Sequence, residues 1–271
     1  MTLHFVHIGR TGGTAIKYAL RSEGLAYRRQ RDAAGVPETP YGKIRVHPHR
    51  FHLADVPPGD FAFFCIRDPI ERFFSGFYSR LNKGQPRHYY EWSKRERTAF
   101  EAFPTPQLLV AALHADDDDE RRRAMAAMRS IRHLASIERF VGTPWQLRRR
   151  LDQVVYIAAQ ETLNSDWEQL KSMLGLPPDV ALPSEGHAAY RREGSLDTTL
   201  DDAGVKALRR WYRRDYRLIR YCMQVRTLRG WGLEPAPEEG IKRLHRQARR
   251  LWALSAVAVP PPSTHRPHWM R

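Results

Sequence analysis

The chain has 271 residues, 42% hydrophobic and 28% charged, a globular mixture for one large domain or two small ones. Its 45 Lys plus Arg against 30 Asp plus Glu leave +15, and only seven of the basic residues are Lys, so an arginine-dominated surface seeks anionic partners. No apolar run approaches the ~20 residues of a membrane span, and Cys65 and Cys222 form neither a disulfide framework nor a CxxC metal pattern, which excludes those classes.

The start, Met1 to Val6, lacks a basic region followed by an apolar stretch, so no secretory signal is read and a cytoplasmic location is expected. Leu3, Phe5, Val6 and Ile8 make a short apolar run ended by Gly9, which predicts a first strand. A helix opens at Thr14, with Ile16, Ala19 and Leu20 on one face. Arg21 to Tyr41, with Gly35, Pro37 and Pro40, is predicted as a loop, and Lys43 to His47 as a short strand. Phe61 to Ile66 is the most continuous apolar run and reads as a strand buried on both faces of a parallel sheet. From Arg72 to Leu81 a helix carries Phe73, Phe74, Phe77 and Leu81 on one side.

Gln85 to Gly142 reads as less regular. Within it Asp116 to Asp119, then Glu120 and Arg121 to Arg123, suits a solvated helix start, acid first and base further in. A strand at Val154 to Ala158 precedes a helix from about Asn164, whose side chain is expected to cap it, to Leu174 before Gly175. Strands alternating with helices predict an α/β fold, a single domain over 1–232 with a central parallel sheet flanked by helices. Gly232, Pro235, Pro237 and Gly240 mark a linker, so 233–271 is read as linker and basic amphipathic tail. Over 241–254, Ile241, Leu244, Ala248, Leu251 and Trp252 share a face flanked by arginines. Such a helix suits peripheral contact with the inner face of an anionic membrane; packing on the main domain is the preferred alternative.

The strongest local signal is Gly9-Arg10-Thr11-Gly12-Gly13-Thr14-Ala15, a glycine-rich turn between strand and helix. Gly12 and Gly13 permit a close backbone approach, and the amides opening the helix face an anion, aided by its dipole and the Thr11 and Thr14 hydroxyls. Arg10 adds a full charge at the mouth. No Gly-Lys-Ser or Gly-Lys-Thr follows, so this is not a Walker A loop. A second motif, Arg67-Asp68-Pro69-Ile70-Glu71-Arg72-Phe73-Phe74-Ser75, follows the strand at Phe61 to Ile66. Arg67 stands at the strand end, where open α/β sheets bind ligands. Arg72 and Ser75 are three apart on one helix face. Arg67 and Ser75 suit a second phosphate; Asp68 and Arg72 are expected to form a structural ion pair fixing the turn. Two anion cradles at one sheet edge predict a ligand with two separated anionic ends.

Together the motifs resemble the paired cofactor motifs of the sulfotransferases, in particular the Golgi carbohydrate type and its bacterial relatives, over residues 3–80. The resemblance implies a P-loop-like sulfotransferase fold and 3′-phosphoadenosine 5′-phosphosulfate (PAPS) as sulfate donor. The first motif, Arg10 to Ala15, would hold the 5′-phosphosulfate, and Arg67 with Ser75 the 3′-phosphate. The family usually places Lys at the position of Arg10, against the bridging oxygen of the leaving group; here a planar guanidinium stands instead. Val154 to Leu174 and Leu200 to Cys222 resemble, more loosely, the later strand and closing helices.

Sulfuryl transfer to a hydroxyl needs a base and positive charge near the leaving phosphate. The second strand runs into His47-Pro48-His49, and an extended chain would project both histidines to one side. This His-x-His resembles the catalytic segment of the uronosyl 2-O-sulfotransferase branch, which assigns His49 as general base and His47 as its assistant or an acceptor contact. Metal binding or plain surface histidines are the alternatives; no carboxylate or Cys nearby completes a metal site, and the reaction requires no metal. Arg87, His88, Tyr89, Tyr90 and Trp92 are candidates for an acceptor wall, or ordinary loop packing. Arg191 and Arg192 are candidates for closing over the nucleotide. The expected activity is sulfuryl transfer to a carbohydrate or glycolipid hydroxyl. A kinase-like phosphotransferase is disfavoured by the missing Walker lysine and by the lack of a magnesium carboxylate after a buried strand. A nucleic-acid-binding module, suggested by Arg209 to Arg214, is disfavoured because Leu208, Trp211, Tyr212, Leu218, Ile219 and Cys222 form a core-facing stripe.

Overall fold

A computed structural model describes residues 1–85, 89–183 and 196–232. The opening apolar run forms β1 (Thr2–Val6), buried from Leu3 onward. After the glycine-rich turn comes α1 (Gly13–Ser22), which buries Ala15, Ile16, Ala19 and Leu20. The stretch Arg21 to Tyr41, expected to be a loop, contains two short strands, β2 (Ala26–Tyr27) and β3 (Glu38–Thr39). Two-residue strands carry no periodicity of their own; they exist through pairing with β4 (Gly42–Val46). The run at Phe61–Ile66 is β5, and α2 (Pro69–Leu81) follows it.

The section Gln85 to Gly142 is mainly helical instead of irregular. It holds α3 (Lys94–Ala102), α4 (Pro106–Ala112), α5 (Asp118–Ser130) and α6 (Glu138–Val141). Each of the first three has a side-chain cap, from Ser93, Thr105 and Asp117 in turn. After α7 (Pro144–Arg148) come β6 (Val154–Ala159) and α8 (Leu163–Leu174). Asn164 lies inside α8 and does not cap it; the preceding Thr162 donates its hydroxyl to Asp166 instead. The last described helices are α9 (Asp202–Trp211) and α10 (Arg213–Leu228).

The sheet runs in the order β2-β4-β1-β5-β6, all parallel, with β3 antiparallel to β4. The main core lies on this sheet, from Leu3 and Phe5 to Phe63, Phe64, Ile157 and Trp167. A second apolar cluster joins Phe73, Phe74 and Phe77 of α2 to α3, α4, α5 and α9. The sequence therefore folds as a single α/β domain with a central parallel sheet flanked by helices. Among the described residues no helix is long and apolar enough to cross a membrane. The linker and tail read at 233–271, with the amphipathic stretch 241–254, lie outside the described residues.

Candidate active site

The central strand β1 pairs with β4 on one side and β5 on the other. The chain leaves β1 toward the β4 edge and leaves β5 toward β6, so the loops after β1 and β5 part at neighbouring strand ends. Open parallel sheets take their ligands in such a crevice.

The turn after β1 is shaped by its glycines. Gly12 has φ of 83°, and a Cβ there would meet Leu163 Cδ2 at 2.7 Å. A Cβ on Gly13 would stand 2.4 Å from His7 Cδ2. Arg10 itself takes the left-handed region at φ 69°, a costly conformation for a residue with a Cβ. No side chain caps α1, and its first turn contains no acid. Its leading amides therefore face the crevice with the positive end of the helix dipole, as an oxyanion requires. Thr14 is half-buried in that first turn. The expectation for Thr11 needs correction: its hydroxyl is fully buried and donates to the Ile8 carbonyl at 3.0 Å. That bond closes the turn, and leaves Thr11 only its backbone to offer an anion.

The second motif meets the first directly. Arg10 donates from Nε and Nη2 to Ser75 Oγ at 3.0 and 2.8 Å. Arg67 Nη1 reaches the Arg10 carbonyl at 3.4 Å, and its Nη2 reaches Glu71 at 3.4 Å. The ion pair expected between Asp68 and Arg72 does not form. Asp68 caps α2, accepting from the Ile70 and Glu71 amides, because a carboxylate at that position meets the unpaired N–H groups of the first turn. Arg72, 2% exposed, donates instead to the carbonyls of Gly9 at 2.9 Å and Ala135 at 2.7 Å. It positions the anion loop and adds charge beneath it.

The two histidines of His-x-His part company. His49 Nδ1 donates to the His7 carbonyl at 3.0 Å, and its ring lies 4.1 Å from that of His7. His7 stacks on Phe5, so this is the Phe5 face of β1. His47 goes to the other face: it stacks on Phe51 and shares a 2.9 Å hydrogen bond with His4, which is bonded to Asp60 at 3.1 Å. The chain turns after Val46, where β4 ends, so the alternation of an extended strand does not carry through to His49. The Asp60 carboxylate accepts from His4 Nε2, so His4 Nδ1 accepts from His47 Nε2–H. Burial, then His4 and Arg45, push His47 down to about 3. His47 is thus structural, not an assistant to the base.

His49 is placed differently. A carbonyl only accepts, so Nδ1 carries the proton and a neutral ring has its lone pair on Nε2. Nε2 makes no hydrogen bond among the described residues. Burial lowers the His49 pKa, and the charges of Lys17, Arg10 and Arg72 lower it further against the opposing His7 carbonyl. This is an imidazole kept neutral beside a cationic loop.

One residue that the sequence did not reveal joins them. His133, in a 3-10 turn at Arg132–Leu134, sets its ring edge-on to His49 at 6.2 Å. No local pattern marks it, since the approach depends on tertiary packing. The proposed acceptor wall is partly absorbed: Trp92 donates from Nε1 to the Arg80 carbonyl and packs on Phe100, while Tyr89 and Tyr90 are exposed. Arg87, His88, Arg191 and Arg192 lie outside the described residues. Among those described, no group of three or more His, Cys, Asp or Glu is arranged to hold a metal.

The chain is similar to the crystal structure of a sulfotransferase from Alicyclobacillus acidocaldarius, at 13% identity and a TM-score of 0.42, over 82% of this chain and 95% of that one. No curated protein matches it. A family model described as the sulfotransferase family matches residues 4–222, which include both anion motifs, the histidines between them and the strands that align them. The chain belongs to the sulfotransferase family.

Proposed function

We propose that the protein transfers a sulfuryl group from PAPS to a hydroxyl of a carbohydrate or glycolipid acceptor. The observation that carries this reading is the junction of the two motifs, Arg10 on Ser75, beside an uncapped helix start. A ligand with two separated anionic groups fits such a junction, and Gly12 and Gly13 let the loop pack against Leu163 and His7, where a Cβ would clash, so that the start of α1 is held beside it.

In this reading the amides of Thr11 to Thr14, with Arg10, hold the 5′-phosphosulfate, and Arg67 with Ser75 holds the 3′-phosphate; the Ala15 amide, expected to join them, is taken by the Gly12 carbonyl at 3.0 Å. The nucleotide supplies a sulfuryl group activated by a phosphate leaving group. His49 receives the acceptor hydroxyl's proton at Nε2. Arg10 and the loop amides stabilise the charge that develops on the departing phosphate. Arg72 keeps the loop in place through the Gly9 carbonyl. The exposed Tyr89 and Tyr90 provide aromatic faces for a sugar.

Calorimetric titration with 3′-phosphoadenosine 5′-phosphate (PAP), with ATP as control, tests the donor site. We expect PAP to bind in preference to ATP. Arg67→Ala and Ser75→Ala should each weaken PAP by about tenfold or more, the scale of a hydrogen bond to a charged group. Equal affinity for ATP, or indifference to both variants, would return the phosphotransferase reading to first place.

A further inference from the structure

His133 stands outside both anion motifs, yet three contacts install it at the site. A Cβ on Gly76 would lie 3.0 Å from the His133 carbonyl oxygen and 3.1 Å from His133 Cβ. The missing methyl lets the 3-10 turn press directly on α2, one residue from Ser75. Tyr212 then donates to the Leu134 carbonyl at 3.0 Å, and Arg72 to the Ala135 carbonyl at 2.7 Å. The fixed turn brings the ring against the anion loop. Its Cδ2 edge lies 3.8 Å from the point where a Cβ on Gly9 would stand, next to His49.

The ring's hydrogen-bond polarity follows from its burial. His133 Nδ1 is sealed from solvent with no partner. An orphaned buried N–H is rarer than an orphaned acceptor, so the proton belongs on Nε2. Burial and then the charge of Arg10 hold the ring neutral. His49 has the opposite tautomer, its Nδ1–H committed to the His7 carbonyl. Two neutral histidines side by side thus present a lone pair and an N–H.

We infer that His133 is a second catalytic histidine, donating from Nε2–H to an oxygen of the sulfuryl group held by the anion loop. The inference rests on the proposed PAPS reaction. In that step the acceptor oxygen bonds to sulfur, the sulfur–oxygen bond to the phosphate breaks with its electron pair, and the acceptor proton goes to His49. His133 keeps its own proton throughout and aligns the group in flight.

Two measurements test this. Long-range ¹H–¹⁵N spectra of the full chain at neutral pH, assigned with His133→Gln and His49→Gln, should show His133 protonated on Nε2 and His49 on Nδ1. An Nδ1–H or charged His133 overturns the inference without any ligand being present. Without acceptor, His133→Ala should weaken PAPS about tenfold while leaving PAP, which lacks the sulfuryl group, unchanged. His133→Gln, with its amide N–H, should restore most of the loss. Equal weakening of both nucleotides would reduce His133 to packing and overturn the inference. A wild-type chain that binds neither nucleotide would instead overturn the proposed function itself.

Discussion

Arg72 and Arg80 sit two turns apart on α2, each 2% exposed, and meet opposite fates. Arg80 forms a fork on Glu96, Nε to Oε1 at 2.8 Å and Nη2 to Oε2 at 3.0 Å, so its charge is cancelled where it lies. Arg72 donates to two neutral carbonyls, one in the anion loop and one in the turn that carries His133. Arg226 repeats the first pattern on Asp166 at 3.0 Å, deep against β6. An arginine matched to a buried carboxylate is architecture. Arg72 is bonded only to carbonyls and faced by Asp215 through space alone, so no carboxylate takes up its donors, and it lies under the sheet edge where both motifs meet. The +15 of the chain says nothing of this division.

The sharpest test of the comparison removes the carboxylate. Glu96→Ala strands the buried Arg80 charge and should cost about 3–5 kcal/mol of stability, read as a fall in Tm. Arg72→Met orphans two carbonyls and removes the charge that faces the buried Asp215 through space, and we expect a loss of about 1–3 kcal/mol together with weaker PAP binding. If Arg72→Met lowered Tm as far as Glu96→Ala and left PAP affinity intact, the two arginines would be alike and the comparison would break.

Acid titration separates them further. Burial would raise Glu96, but the Arg80 guanidinium and the Ser93 and Arg132 amides outweigh it and hold it at about 2, below its ordinary 4.5. The folded value is the depressed one, so this stability is present above pH 4.5 and is lost as the pH falls toward 2. Denaturation followed by circular dichroism should show the loss in wild type and its absence in Glu96→Gln. The smallest effect concerns His49. Its lowered pKa places the acid limb of kcat/KM below pH 6.5, where protonation removes the base. Lys17→Met, which takes away one of the charges depressing it, should move that limb upward; a limb that stays put would mean another group is the base.

Much of the fold was legible because its strands are long enough to carry a pattern. Phe61–Ile66 and Val154–Ala159 are nearly unbroken apolar runs, and the motif loops stand at the strand ends as their turn chemistry requires. Within Gln85 to Gly142 the start of α5 was legible in Asp116 to Arg123, whereas α3 and α4 were missed despite a local signal: Ser93 and Glu96 form a reciprocal capping box, and Thr105 precedes a proline at a helix start. For β2 and β3 no local signal existed, since two residues define no period.

The sequence by itself determined the layer architecture, the order of the two anion motifs and their position at strand ends, because these follow from apolar periodicity and turn residues within a short window. The tertiary structure alone decided the partners. It put His47 with His4 and His49 with His7, gave Asp68 to a helix start and Arg72 to two carbonyls, and brought His133 to His49 across Gly76. Each choice joins residues far apart in the chain, and burial makes it strict. A polar group sealed from water must find a partner in whatever element packs against it, and no local pattern names that element.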